Sequence, residues 1–196
     1  LWNLADGTVR PGLLGHRGPV LDLALMPNAG GVISAGEDGT IRIWRMPQAA
    51  RSHAGHTMPV GVLAASRDGQ LLLSGGGDKV VRLWQRADGT AAGTSPAHEE
   101  IVTAIAVSQD KSLVASGDKA GLVYLWPPQA DAAIQLRGHL GTILGVTFSQ
   151  QDKQLISAGA DGILRWWQLP LVPARQLLSQ EPVVAQLDVS ADRATT

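Results

Sequence analysis

The chain has 196 residues and a formal net charge of −1, so it offers no global field for nucleic acid or an anionic membrane surface. It contains no Cys, which excludes disulfides, thiol catalysis and cysteine-ligated zinc. Its apolar runs all fall short of the roughly 18 residues that a membrane-spanning helix needs. The few aromatic residues include six Trp, a bias that indicates a repeated role for Trp.

The stretches that follow His16, His56, His98 and His139 each predict four strands. An alternating apolar strand comes first ("VLDLALM", "VGVLAAS", "VTAIAVS", "ILGVTFS"), and a second follows a polar turn ("GVISAG", "LLLSGG", "LVASG", "LISAG"). A tight Asp/Gly turn leads to a third ("TIRIW", "VVRLW", "LVYLW", "ILRWW"). The segment before the next His, such as "RMPQAARSHAG", is polar and Pro-bearing, which is typical of an outer edge strand.

Three residue types recur in phase with these strands. Four of the Trp residues (Trp44, Trp84, Trp126 and Trp167) are spaced 40, 42 and 41 residues apart, and four His residues have the same spacing. Each of these Trp residues lies 28 residues after its His and ten residues after a Ser. In three units an Asp also precedes the Trp by six. The full set is His16, Ser34, Asp38, Trp44, His56, Ser74, Asp78, Trp84, His98, Ser116, Trp126, His139, Ser157, Asp161 and Trp167.

This pattern resembles the WD-repeat β-propeller family over essentially the whole chain. Its marks are the phased residues and the pairs Gly15-His16, Gly55-His56 and Gly138-His139. The Trp-Asp pair of the family name is missing here. The residue after each Trp is Arg45, Gln85, Pro127 or Gln168, at a position that is variable in the family. The resemblance implies an all-β propeller of four-stranded antiparallel blades.

The phase also divides the chain into units. Trp2 precedes Trp44 by 42 residues, and "EPVVAQLDVSADR" at 181–193 repeats the first strand, with Gln180 at the His position. We therefore expect four complete blades and two partial ones. The approximate limits are 1–10 (partial), 11–50, 51–92, 93–133, 134–175 and 176–196 (partial). Since the partial units cannot close a ring, the sequence is expected to be an excerpt of a seven- or eight-bladed propeller.

Ser, His and Asp in register could be mistaken for a hydrolase triad. Their repetition and the accompanying Trp, whose indole is only a donor, argue against that function. The resemblance implies instead that Trp donates to Ser, that Ser meets His, and that His meets Asp, each link stabilising the fold by about 1 kcal/mol. We therefore predict a structural network, with no catalytic residue, cofactor or metal.

The third unit breaks the rule. Ala120 stands at the Asp position, and Asp118 lies two residues early. Ala97 replaces Gly, Tyr124 replaces an Arg, and Pro127-Pro128 follow the Trp. His98 is therefore expected to lack its carboxylate unless Asp118 rearranges. The changes indicate either a relaxed blade or a specialised rim; relaxation is favoured, and Ala120→Asp is expected to raise the melting temperature.

Two other patterns are weaker. His53-x-x-His56 has a metal-like spacing, but no further ligands accompany it, and His53 is expected to be an exposed polar residue. Arg42, Arg82 and Arg165 each stand two before a Trp. Their stems are expected to pack between blades while the guanidinium groups reach the rim.

The family resemblance implies that the loops before the first strand and between the second and third share one rim. This rim mixes apolar and charged residues, which suits a protein or peptide partner. The candidate partner-binding residues are Arg17, Pro19, Glu37, Met58, Pro59, Glu99, Glu100, Lys119 and Leu140.

The sequence therefore predicts a non-enzymatic scaffold for protein–protein interaction. Two alternatives stay open: a sensor or regulatory domain of a larger multidomain protein, and, less favoured, a propeller hydrolase with acids around a central metal. The inner strands offer Asp22 but no matched acids in the other units. We predict no nucleic-acid partner, membrane span or small-molecule substrate. Arg outnumbers Lys twelve to four, which indicates a GC-rich, bacterial source.

Overall fold

The computed structural model describes residues 13–26, 31–44, 51–129 and 131–169, which form four antiparallel sheets whose strand order follows the chain. The first sheet contains β1 (Val20–Met26), β2 (Gly31–Gly36), β3 (Thr40–Trp44) and β4 (Arg51–Ala54); the second contains β5 (Val60–Ala65), β6 (Leu71–Gly76), β7 (Val81–Gln85) and β8 (Ala91–Thr94). The third contains β9 (Val102–Val107), β10 (Val114–Asp118), β11 (Val123–Trp126) and β12 (Ile134–Leu136). The fourth contains β13 (Ile143–Phe148), β14 (Gln154–Gly159) and β15 (Leu164–Gln168), with a 3-10 turn at Gln150–Asp152.

Every first strand carries a bulge near its start. Register shifts place one unpaired residue there in each sheet: Leu21, Gly61, Thr103 and Leu144. An extra residue on one strand bends it and increases the local twist. The first strands β1, β5, β9 and β13 contact one another in that order, so the sheets stand side by side around their first strands.

The core lies between the sheets. Ile33, Ile41 and Ile43 of the first sheet pack with Val60 and Leu63 of the second. Equivalent clusters join the second sheet to the third and the third to the fourth. The second and third sheets, which have a neighbour on each side, therefore bury both faces, and all six residues of the apolar strand β6 are buried. The predicted all-β fold of antiparallel sheets is confirmed.

Some sequence predictions fall outside the described residues. These are the partial units at 1–10 and 176–196, with Trp2 and Gln180, and the fourth strand of the last complete unit after Leu169. The unit limits therefore stay predictions. Within the described ranges, no helix is long and apolar enough to cross a membrane.

Candidate functional site

In the first sheet, four side chains form one hydrogen-bonded chain. Trp44 Nε1 donates to Ser34 Oγ over 2.8 Å, Ser34 Oγ lies 2.7 Å from His16 Nε2, and His16 Nδ1 lies 3.0 Å from Asp38 Oδ1. β2 and β3 supply Ser34 and Trp44, whereas the loop before β1 supplies His16 and the β2–β3 turn supplies Asp38. The network therefore ties two loops to the body of the sheet.

The second and fourth sheets repeat this chain. The three separations are 2.8, 2.7 and 2.9 Å in the second sheet and 2.9, 2.8 and 3.0 Å in the fourth. The residues, in the same order, are Trp84, Ser74, His56 and Asp78, and Trp167, Ser157, His139 and Asp161. The spacing along the chain thus corresponds to one geometry used three times.

The chemistry of the four side chains fixes the direction in which each hydrogen bond of the network is donated. Indole N–H only donates, and an ionised Asp only accepts. Ser Oγ therefore accepts from Trp and donates to His Nε2, which leaves His Nδ1–H to donate to the carboxylate. Burial lowers the pKa of His56, although Asp78 opposes the shift, so its imidazole is neutral at pH 7. A neutral ring satisfies every bond in this arrangement.

The carboxylates bind backbone N–H groups as well. Asp38 accepts from Arg17 N at 2.9 Å and from Thr40 N at 3.1 Å. Burial raises the pKa of Asp38, but these bonds and those from the Thr40 hydroxyl and His16 outweigh it and hold the pKa well below its usual value. The Leu140 backbone N–H contributes most to lowering the pKa of Asp161 to about 2. Since the folded pKa is depressed, the stability from this carboxylate is lost as pH falls towards 2.

A hydrolase would need its serine to be reachable. Ser34 and Ser157 are 2% and 1% exposed, and Ser74 and Ser116 are 0% exposed. In each case the Ser oxygen also accepts the indole N–H, so a carbonyl carbon could not approach it. These sets resemble the Ser-His-Asp arrangement of a triad in their bond directions, but their burial suits them to joining strands.

The third sheet keeps two of the three hydrogen bonds of this network. Trp126 Nε1 donates to Ser116 Oγ at 3.3 Å, and Ser116 Oγ lies 2.7 Å from His98 Nε2. His98 Nδ1 then donates to the backbone carbonyl of Lys79, in the preceding sheet, at 3.2 Å. A carbonyl from the neighbouring sheet therefore replaces the missing carboxylate.

Asp118 is fully buried and takes over the other bonds of the turn. Its Oδ1 accepts from Ala120 N and Leu122 N, both at 3.0 Å. Its Oδ2 accepts from Glu100 N and from the Tyr124 hydroxyl, both at 3.3 Å. The Tyr124 oxygen in turn accepts Glu99 N–H at 3.0 Å. The loop before β9 is thereby tied to the turn after β10 without a His–Asp bond.

The position of Asp118 explains why the two arrangements exclude each other. The equivalent residue two after the Ser is Gly36 in the first sheet and Gly159 in the fourth. A Cβ added at Gly36 would overlap His16 Nδ1 and lie 2.9 Å from Asp38 Oδ1. Gly-x-Asp therefore leaves room for the His–Asp bond, whereas the Asp-x-Ala of the third sheet fills that room with its own carboxylate.

Two other departures of the third sheet, Ala97 and Tyr124, are linked to each other. A Cβ at Gly15 would lie 2.7 Å from Arg42 Nη1, and one at Gly138 would lie 3.2 Å from Arg165 Nε. In the third sheet Tyr124 stands in place of this Arg, and Ala97, at the position of the glycine, is exposed. Tyr124 and Trp126 are 2% and 0% exposed, and the bonds are replaced as a set, which argues against the expectation that this unit is relaxed.

The expected gain from Ala120→Asp is reversed by this geometry. The new carboxylate would lie beside buried Asp118, whose charge disfavours a second one. We expect the melting temperature to stay unchanged or fall, corresponding to a loss of up to about 1 kcal/mol. Asp118→Gly should cost more, and combining it with Ala120→Asp should recover part of that loss by restoring Gly-x-Asp. Thermal unfolding of the three variants checks this; a clear rise for Ala120→Asp alone would contradict it.

The expectation that His53 is exposed is also wrong. Its ring is stacked on Trp84 at a centroid distance of 5.9 Å, and the residue is 9% exposed. A Cβ at Gly89 would overlap this ring, so the turn after β7 closes over His53. In the described ranges no cluster of three or more His, Asp or Glu could hold a metal.

The repeated Arg residues lie half-buried near the loop before each His. Arg165 Nη2 donates to Gly138 O at 2.9 Å, and Arg82 Nη2 lies 3.7 Å from Asp78 Oδ2. Both side chains thus reinforce the network loops rather than form a basic stripe for phosphate.

The two kinds of rim loop meet through one repeated backbone bond. Glu37 N donates to Pro19 O at 3.0 Å, and the corresponding bond has nearly the same length in the other three sheets. Leu140 is 84% exposed and Met58 is 53% exposed. The remaining candidate rim residues are exposed (Arg17, Pro19, Glu37, Glu99, Lys119) or half-buried (Pro59, Glu100).

Most of the rim charge near the third sheet is paired within the molecule. Lys79 Nζ donates to Glu99 O at 2.8 Å and lies 3.3 Å from Glu100 Oε1. Arg137 Nη2 lies 3.2 Å from Glu99 Oε1. Such exposed pairs add little stability, but they balance the charges of Glu99 and Glu100.

Antiparallel sheets stacked around their first strands define a β-propeller, and the buried Trp–Ser–His–Asp chains define its type. The chain belongs to the WD-repeat family: the model of the "WD domain, G-beta repeat" matches residues 5–45, 48–85, 89–127 and 132–168. A 47-residue stretch is 43% identical to human "WD repeat-containing protein 97", covering 24% of this chain and 3% of that protein. The structure resembles the crystal structure of the computationally designed Ika4 protein, with a TM-score of 0.70 and 27% identity, over 80% of this chain and 95% of that one.

The matched repeats are offset from the sheets, which we now call blades. β4 lies within the repeat that begins at residue 48, β8 within the one at 89, and β12 within the one at 132. The outer strand of each of these blades is therefore supplied by the next repeat. Because of this offset, neighbouring repeats are joined by strand pairing as well as by the polypeptide, and each of these blades depends on the following repeat.

Proposed function

We propose that this chain is a non-enzymatic scaffold that binds a protein or peptide partner on the rim carrying Met58 and Leu140. WD repeats are typical protein-interaction scaffolds. The observation that carries the proposal is the exposure of these two apolar side chains in loops that the buried networks hold in place. A preformed apolar contact loses little conformational entropy on binding, which favours recognition of a partner.

The chemistry of the repeated residues supports a binding role over a catalytic one. The Ser, His and Asp side chains engage one another and the Trp indole within each network. Asp22, the acid of the inner strands, accepts from Leu63 N and Leu23 N, both at 2.8 Å, and so joins the first blade to the second. These groups are committed to holding strands and loops, which leaves the rim surface for function.

The test begins with a random-peptide display library selected against the immobilised chain. We expect selected peptides to bind the wild type and to lose at least about tenfold in affinity on Leu140→Ser or Met58→Ser, as a contact residue would. Ile134→Ser is the matched control, since Ile134 is 48% exposed on β12, away from this rim. Fluorescence anisotropy measures each affinity. Failure to select any binder, or equal losses for the Ile134 variant, would refute rim binding.

A further inference from the structure

A solvent-open cleft of about 420 Å³ lies between the second and third blades. Leu71 and Leu83 of the second blade are 8% and 0% exposed and form its apolar floor, and Pro127 and Pro128 of the third blade line it as well. The structure describes every residue from 51 to 129, so the strands and loops that line this space are in place. We call it the interblade cleft. Its volume is that of a small-ligand site.

The next junction of the array shows what such a space holds. Pro128 stands two residues after the Trp, and the equivalent residue of the fourth blade is Leu169. Leu169 is 6% exposed and belongs to the cluster that joins the third blade to the fourth. That cluster also contains Leu125, the counterpart of Leu83. A leucine side chain therefore fills, between the third and fourth blades, the place that stays open between the second and third.

The proline changes the backbone at this position as well. Leu169 N donates to Lys153 O at 2.8 Å, whereas Pro128 has no N–H to donate. Accordingly, β11 ends at Trp126, while β15 continues to Gln168, one residue past its Trp. The interblade cleft therefore arises from a proline pair inside the array and not from the absence of a neighbouring blade.

The exposed polar groups that line the cleft are mainly carboxamides. Gln70, Gln85 and Gln129 all contribute to its lining and are exposed. A carboxamide both donates and accepts hydrogen bonds, and so does a peptide backbone. Lys111 also lines the cleft, but its Nζ lies 2.7 Å from Asp68 Oδ2, so its charge is balanced within the protein. The lining therefore suits an uncharged ligand that combines an aliphatic group with amides.

We propose that the interblade cleft binds a peptide segment of a partner protein through a leucine-sized aliphatic side chain. This side chain packs on Leu71 and Leu83, and the backbone amides beside it bond to the glutamine carboxamides. The partner thereby supplies from outside what Leu169 supplies within the chain at the next junction. The cleft lies at the other end of the strands from the rim that carries Met58 and Leu140, so the two sites are independent.

The test titrates the isotopically labelled chain with three peptides and follows the backbone amide signals by NMR. The peptides are acetyl-Ala-Leu-Ala-amide, acetyl-Ala-Ala-Ala-amide and acetyl-Ala-Asp-Ala-amide. The leucine peptide should bind saturably, shift the signals around Gln85, and bind at least about tenfold more tightly than the alanine peptide, because it buries three more apolar carbons. The aspartate peptide should gain nothing over the alanine peptide.

Three variants locate the binding. Pro128→Leu gives the third blade the leucine of the fourth and should weaken binding of the leucine peptide at least about tenfold, since the space is then filled. Gln85→Ala should weaken it about threefold or more by removing a hydrogen bond. Gln168→Ala is the control, because Gln168 is the equivalent exposed glutamine of the fourth blade, and it should have no effect. Circular dichroism checks that each variant is folded.

Three results would overturn the proposal. The first is that the wild type shows no saturable binding of the leucine peptide, and the second is that it binds the three peptides equally. The third is unchanged binding in both Pro128→Leu and Gln85→Ala, which would place the peptide on another surface, such as the rim.

Discussion

Gly159→Ala should destabilise the chain by about 3 kcal/mol, although it adds a single methyl group. The new Cβ would overlap His139 Nδ1 and lie 2.6 Å from Asp161 Oδ1. His139 is buried between Ser157 and Asp161, so it cannot move aside without breaking a hydrogen bond. The substitution therefore combines overpacking with the loss of a buried polar contact, two of the mechanisms that produce large effects. Urea unfolding gives the free-energy difference.

Gly145→Ala provides the matched control in the same blade. Gly145 lies on β13, adjacent to β14, and a Cβ there would meet nothing within 4 Å. It should be neutral or stabilise the protein by a few tenths of a kcal/mol, because Ala restricts the unfolded chain more than Gly does. Similar free energies of unfolding for the two variants would show that the space around His139 is not the constraint.

Asp118→Asn should cost about 2–3 kcal/mol. Asp118 is 0% exposed, and both of its oxygens accept hydrogen bonds, including two from backbone N–H groups to Oδ1. An amide keeps the shape but turns one acceptor into a donor, which would then face Glu100 N–H or Tyr124 Oη–H. A buried donor left without a partner costs roughly 1–3 kcal/mol, and the loss of charge weakens the remaining bonds.

The size of this effect separates Asp118 from an ordinary turn residue. Asp131 is exposed, and Asp131→Asn should change the free energy of unfolding by less than about 0.5 kcal/mol. Tyr124→Phe removes only the hydroxyl and should fall between the two. If Asp118→Asn matched the Asp131 variant in equilibrium unfolding, the third blade would have to be described as relaxed after all.

The architecture could be predicted from the sequence because the repeat supplied four aligned versions of one pattern. The 28-residue interval from His to Trp placed His16, Ser34, Asp38 and Trp44 in one unit, and turn chemistry placed the strand ends. The rearrangement of the third blade was not predicted, because treating Ala120 as a lost acceptor does not consider where the side chain of residue 118 would lie. The signal was present in the exchange of Gly-x-Asp for Asp-x-Ala.

Other features depend on contacts between blades, which the spacing of the repeat does not encode. His53 looked like a surface residue because it lies on β4 of the first blade, whereas its partners Trp84 and Gly89 belong to the second blade. The exposure of Leu164 and Trp166 likewise depends on the neighbour of the fourth blade, since the same positions are buried in the first three. The identity of a protein or peptide that binds the rim does not follow from the repeat pattern.

In each blade the Ser and His side chains are expected to stabilise the fold as one unit. The most direct measurement is a double-mutant cycle for Ser74→Ala and His56→Ala in urea unfolding. Ser74 lies 2.7 Å from His56 and accepts the Trp84 indole N–H, so each single variant should lose about 2 kcal/mol or more and leave buried groups unpaired. We expect a coupling free energy of about 1–2 kcal/mol between the two residues. Single losses below about 0.5 kcal/mol that simply add would contradict it.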